Sequence, residues 1–272
     1  MFKAIKYAIK WIEWKCKDFL AFLFKRLFIN HVMKKGNYKD IPVYIISFNR
    51  YTYLKQTVEW LEDKGYNNIT IIDNHSDYAP LVEYLKNSQH KVIFMKKNYG
   101  YKVFDKSFRF LFKRYFHFYY LTDPDLTPIK DCPDDFGEMF FKVLKQHYFH
   151  SKVGFSLKID DLPDGYPLKN DVIDHESQFY EHPLSNNLGF EVFEAGLDTT
   201  FALNSPHLFV ARLKRLPRCI RTGVPYQVRH LPWYMVEANE ENEQYVKTLR
   251  NDTTTWNGNF SSEELKKMQN RS

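Results

Sequence analysis

The chain has 272 residues, 44% of them apolar and 18% aromatic, enough for one large α/β domain with appendages or for two small domains. Its three cysteines (Cys16, Cys132 and Cys219) lie far apart and match no metal or redox spacing; with no cleavable signal recognisable at the N-terminus, a reducing compartment is expected. The net charge is +6, but residues 1–35 hold nine Lys/Arg against two acids, a balance of +7, so the remainder carries −1. A nucleic-acid-binding domain would carry its basic face on the fold itself, and this distribution argues against one.

The basic segment reads as a helix. Lys3, Lys6, Lys10, Glu13 and Lys17 recur at spacings of three and four, and Ile5, Ile9, Ile12, Cys16, Phe19, Leu23 and Leu27 form the opposing face, with Trp11 and Trp14 at the boundary. Charges interrupt it too often for a transmembrane span, which needs ~20 largely uncharged residues. Aromatic anchors with excess lysine describe a helix in an anionic membrane interface; the alternative is a helix docked on the protein's own core or on a partner.

After Gly36-Asn37 the pattern alternates. Strands are expected at Val43–Ser47, Ile69–Asp73, Val92–Met95, Phe116–Leu121 and Val153–Leu157, and helices at Tyr53–Asp63, Pro80–Lys86, Lys102–Tyr115 and Asp134–His147. That alternation predicts an α/β fold with a mainly parallel sheet. From Asp160 to Glu194 the periodicity dissolves, as in long functional loops. Thr199–Leu203 restores a strand, Pro206–Leu216 a helix, Tyr226–Tyr234 is an apolar-aromatic stretch, and a helix is expected around Glu240–Leu249. The boundaries this implies are a basic helix over 1–36, a globular α/β domain over 37–236 and a helical tail over 237–272.

Ligands in α/β sheets collect at the carboxyl ends of strands. There the chain places Ser47-Phe48-Asn49-Arg50, Asp73-Asn74-His75-Ser76, Asn98-Tyr99-Gly100 and Asp123-Pro124-Asp125. Two acids held rigidly around a proline repel unless a cation sits between them, and a hard divalent ion holding a diphosphate is the usual answer; the alternative is a solvated turn. Asp73 can accept from a pyrimidine N–H or a ribose hydroxyl, or else serve as a helix cap or Asx-turn. Arg50 can face base or phosphate, or stand as a solvated loop arginine.

The run Val-Tyr-Ile-Ile-Ser-Phe-Asn-Arg, then Ile-Ile-Asp-Asn-His-Ser, then the Asp-x-Asp, resembles the GT-A glycosyltransferases, especially family 2-like bacterial members, over about residues 41–130. The resemblance implies a GT-A (Rossmann-like) fold, a nucleotide-sugar donor (a UDP-sugar favoured) and a divalent metal, Mn²⁺ or Mg²⁺. It assigns donor binding to Phe48, Asn49, Arg50, Asp73, Asn98, Gly100 and Asp123, and metal binding to Asp123 and Asp125. His230 joins the metal by its C-terminal position, and Arg229 would neutralise diphosphate. Trp233 and Tyr234 could stack on a sugar; an apolar-aromatic core is the alternative for that cluster. The Ala195–Leu203 segment looks like the small-residue strand beside the donor sugar, with Asp198 at the reaction centre. The Glu-Asp pair expected downstream for the general base is not visible, and Asp198, Asp160 and Asp161 are the candidates. A glycan or lipid-linked acceptor, envelope or capsular glycan synthesis, and a cytoplasmic location on the inner face of the cell membrane follow as expectations. Two competing readings are a nucleotidyltransferase, which would carry a Gly-rich basic loop after the first strand, and a non-catalytic, membrane-tethered binding subunit.

Overall fold

The computed structural model describes residues 2–198, 200–206, 219–235 and 239–248. In chain order these form α1 (Phe2–Lys35), β1 (Val43–Ser47), α2 (Tyr51–Asp63), β2 (Ile69–Asp73), α3 (Ala79–Lys86), β3 (Lys91–Phe94), α4 (Val103–Lys106) and α5 (Leu111–Phe116). Then come β4 (Tyr119–Thr122), β5 (Leu126–Pro128), α6 (Phe136–Gln146), β6 (Lys152–Leu157), α7 (Lys169–Ser177), β7 (Val192–Glu194), β8 (Ala202–Asn204), β9 (Cys219–His230) and α8 (Glu240–Thr248).

One nine-stranded open sheet runs β3-β2-β1-β4-β8-β6-β9-β5, with β7 also on β9. Strands β3, β2, β1 and β4 are parallel, β6 and β9 are parallel, and β8 is antiparallel to both β4 and β6. The expected α/β class with a mostly parallel sheet between helices is what forms. All five residues of β1 and of β2 are buried, as β-branched strands covered on both faces should be.

Alternation along β1 divides the core in two. Val43 and Ile45 join the larger cluster beneath α1, α2, α3 and α6, while Tyr44 and Ile46 pack with Val103, Phe104 and Phe110 on the other face. On α2, Leu54, Thr57, Val58 and Leu61 are buried at the three- and four-residue spacing of one helix face. α6 can approach only because position 137 is glycine: a Cβ there would lie 2.3 Å from the Tyr66 hydroxyl and 2.8 Å from that of Tyr120.

Several expectations are corrected. Lys102–Tyr115 is not one helix; it breaks at Ser107, whose side chain accepts from the Arg109 amide and starts a 3-10 turn before α5. Aromatic density at Phe116–His117–Phe118 read as strand, but pairing begins at Tyr119. The Asp160–Glu194 segment contains α7 and β7. α7 was hidden because only Val172 and Glu176 of its nine residues are buried. The stretch from Tyr226 is the second half of β9, followed by a 3-10 turn over Leu231–Tyr234. The helix expected at Pro206–Leu216 and the tail after Thr248 lie outside the described residues.

α1 rests on the body through Lys25, Ile29 and Val32, which are 1%, 0% and 3% exposed. Lys25, one of the nine cations of this segment, donates its ammonium to the carbonyls of Tyr148 (2.9 Å) and His150. Burial pushes its pKa down to about 7 from 10.5. Between those values the unfolded chain binds a proton that the folded chain does not, so stability rises as pH climbs through that window. Thermal melts from pH 7 to 10 are expected to show that rise in the wild type and its loss in Lys25→Met; parallel curves would refute it.

Candidate functional site

The chain order 3-2-1-4 reverses direction between β1 and β4, and their carboxyl ends flank the crevice where ligands of open α/β sheets bind. Ser47 is in register with Asp73, and Ile45 with Thr122, so the loops after β1, β2 and β4 share one edge. Arg50, Asp73 and the Asp-Pro-Asp turn lie on the loops of that edge.

The turn's three carbonyls are tied down. The Thr122 hydroxyl donates to the Asp123 carbonyl (2.9 Å), the Thr57 hydroxyl on α2 donates to the Pro124 carbonyl (2.6 Å), and the Leu231 amide donates to the Asp125 carbonyl (2.8 Å). β5 starts directly after the turn and pairs Leu126 with His230 on β9, which brings the imidazole Nε2 to 3.5 Å from Asp125 Oδ2. The two side chains are 19% and 16% exposed. Burial pushes the Asp125 carboxyl up, but the His230 imidazole and the Arg50 guanidinium outweigh it, and the net lies below the usual carboxylate range. Among the described residues, Asp125 Oδ1 and His230 Nδ1 are buried without a hydrogen-bond partner.

Arg50, 3% exposed, is no solvated loop arginine. Its guanidinium lies 3.7 Å from the Tyr245 ring centroid and 5.3 Å from that of Tyr53, and it donates to Asn242 Oδ1 at 3.1 Å. Burial pushes the Tyr245 phenol up to about 12; Arg50 pulls it down, while Asp125 and Asp123 add to the rise, which marks these groups as electrostatic neighbours. The Phe48 ring sits 6.1 Å from Tyr245. Helix α8 therefore covers the loop after β1. Glu241 accepts from the Thr52 amide (3.0 Å) and hydroxyl (2.7 Å), capping α2. The sequence reading missed Tyr53, Glu241, Asn242 and Tyr245. Nothing in a polar tail helix announces its partner, although an aromatic following Glu-Glu-Asn-Glu-Gln was a visible oddity.

Other expected ligand groups are committed to the chain itself. Asn49, at φ +48°, gives its amide to Asp77 (2.7 Å) and Thr248 (3.0 Å) and accepts from the amides of Asp77 and Tyr78. Asp73 accepts from the Ser76 amide at 3.3 Å, the Asx-turn alternative, and burial raises its pKa despite that bond. Asn98 Oδ1 accepts from Asn74 (2.9 Å) and from the Gly100 amide (2.7 Å), closing the loop after β3.

Arg229 and His230 cannot both face Asp125, because neighbours on a strand point to opposite faces. Arg229 instead grips Asp161, through Nε at 2.8 Å and a second, shorter contact from its terminal nitrogen, and the Tyr234 hydroxyl donates to the other oxygen of Asp161. Burial pushes the Asp161 carboxyl up, yet these bonds hold it below its usual range, which suits an anchor and not a base. Asp160, 75% exposed, pairs with Lys158 at 2.6 Å just beyond the carboxyl end of β6. Asp198 goes elsewhere: it is exposed, and its carbonyl and that of Leu197 accept from Lys152, the first residue of β6. Five residues of strand at about 3.3 Å each separate Lys152 from the end that faces the site.

Asp125 Oδ2 and His230 Nε2, 3.5 Å apart, offer an oxygen and a nitrogen donor within one ion's reach. Among the described residues no group of three or more His, Cys, Asp or Glu converges as a metal cage. Comparison with family models and with curated proteins found no match to this chain.

Proposed function

We propose that the protein is a GT-A-type glycosyltransferase that takes a sugar from a nucleoside-diphosphate donor in the presence of Mn²⁺ or Mg²⁺ and passes it to a hydroxyl of a glycan or lipid-linked acceptor. The observation that carries this reading is the approach of His230 to Asp125 across 105 residues of sequence, at the β1/β4 crevice and beside a buried arginine. A divalent ion at that pair would neutralise the diphosphate and ease its departure. Asp125 and His230 would hold it, with Asp123 on the same turn. Arg50 adds a fixed positive charge in a desolvated place, where developing negative charge on the leaving group is best stabilised. Tyr53, Tyr245 and Phe48 supply aromatic surface for the nucleoside. Of the three candidate bases, Asp161 is held by Arg229 and Tyr234 and Asp198 lies by Lys152; Asp160, exposed at the carboxyl edge, is our choice for accepting the acceptor's proton.

α1 leaves Ile12, Phe19, Leu20, Phe24 and Leu27 between 49% and 63% exposed. Among the described residues no helix is long and apolar enough to cross a membrane. We read α1 as lying along an anionic membrane surface, which places the enzyme in envelope glycan assembly at the inner face of the cell membrane.

The test is thermal stabilisation by UDP, GDP and CMP and their sugars, with Mn²⁺ or with EDTA, followed by donor turnover. A nucleoside diphosphate should raise the melting temperature only with metal. Stabilisation by none of them would overturn the reading, and metal-dependent binding without turnover would leave a binding subunit.

A further inference from the structure

A second set of exposed aromatics lies outside α1. Phe112, Phe116 and Phe149 are 63%, 48% and 63% exposed. They are joined to α1 by ring contacts: Phe149 stacks on Phe22 at 5.7 Å, and Phe28 stacks on Phe118 at 5.2 Å, two residues after Phe116, whose ring is 4.8 Å from Phe112. All of these sit where β4 and β6 begin, at the amino edge of the sheet, opposite the Asp125–His230 crevice. The last turn of α5, between Phe112 and Phe116, carries Lys113 and Arg114, and Arg26 of α1 lies 5.9 Å from the ring of Tyr148, the neighbour of Phe149.

We infer that this amino edge as a whole, and not α1 alone, is a docking face for an anionic lipid surface. Solvent-exposed aromatic rings interleaved with cations match such an interface chemically: rings enter the headgroup boundary while Lys and Arg meet lipid phosphates. A helix anchored by one stripe can swivel, whereas contacts on both sides of the amino edge fix the body's orientation. The strands β4 and β6 then stand away from the lipid, and their four and six residues at about 3.3 Å each hold the crevice roughly 13–20 Å above it. Resting on the glycosyltransferase reading, this geometry names the acceptor class: the hydroxyl at the growing end of an already extended lipid-linked glycan, and not the sugar nearest the lipid.

The experiment uses the full chain with Phe112→Ser, Phe116→Ser and Phe149→Ser combined and α1 untouched. Binding to phosphatidylcholine vesicles containing about a third phosphatidylglycerol should weaken roughly tenfold or more. In a Cys16→Ser background, a dye on Tyr115→Cys should be quenched by headgroup-labelled lipid, and one on Lys96→Cys, beyond the carboxyl end of β3, should not. Unchanged vesicle binding by the triple variant, equal quenching at the two positions, or equal affinity for uncharged vesicles would overturn the docking face. Lipid-free self-association abolished by the same three changes would assign it to a second copy of the chain. Nucleoside-diphosphate stabilisation is measured in parallel and should survive in the triple variant. Its absence from the wild type, with the vesicle results as expected, would leave the docking face standing and remove the enzyme reading.

Discussion

Asp125→Asn is expected to abolish metal-dependent stabilisation by nucleoside diphosphate and to lower sugar transfer by about 10²–10³-fold, the order lost when one group opposing transition-state charge is removed. The substitution keeps the side chain's shape and the backbone bond from Leu231, so the turn should stay folded. It deletes the charge that His230 and Arg50 surround. Adding His230→Ala should then cost little more, because the pair acts as a unit. Acid titration gives an independent check. The folded Asp125 carboxyl lies below its unfolded value, so its contribution to stability is present above the unfolded pKa of about 3.9 and disappears as pH falls through the folded one. Melting curves of wild type and Asp125→Asn should therefore converge at low pH. Full transfer activity in the variant, or in the wild type with excess EDTA, would end the metal-dependent mechanism.

The second large effect concerns stability. Glu176 on α7 and Arg221 on β9 form an ion pair at 2.5 Å with side chains 7% and 5% exposed. Arg221 also donates through Nε to the Gly196 carbonyl at 2.6 Å and lies over the Phe179 ring at 3.9 Å. Glu176→Ala leaves a buried guanidinium without its counter-charge, which costs about 3–5 kcal/mol and, for a chain of this size, lowers the melting temperature by roughly 10 °C. Replacing both partners by apolar residues, Glu176→Leu with Arg221→Met, should recover most of that loss. A drop of under ~1 kcal/mol in Glu176→Ala would mean that water reaches the guanidinium.

Much of the parallel half was legible because its signals are local. Val43–Ser47 and Ile69–Asp73 are continuous apolar runs bounded by turn residues, and they form strands with those limits. The Asp-Pro-Asp turn could be placed at a strand end for the same reason. The other half depends on partners distant in sequence. β5 has three residues and exists only as the partner of β9; without it nothing announces that Leu126 faces His230. α7 has too few buried residues for its periodicity to show, and beside Val172 it is held by the buried Glu176–Arg221 ion pair. Asp198 was drawn toward the site by its neighbours' small size, while the chain actually leads it to Lys152. Arg229 was named beside His230 without applying the two-residue alternation that sends it to Asp161.

β9 is one strand, Cys219–His230, but carries two registers against β6. Phe155 opposes Thr222 and the next residue of β6, Ser156, opposes Gln227, so Gly223–Tyr226 bulge out between them. Before the bulge the strand is aligned by β7; after it, by β5. The two halves are thus indexed separately, and the bulge works like slack in a belt between two pulleys. Length changes upstream of Cys219 have no route by which to slide His230 along Leu126, so the segments feeding this strand are free to diverge among variants without detuning the histidine.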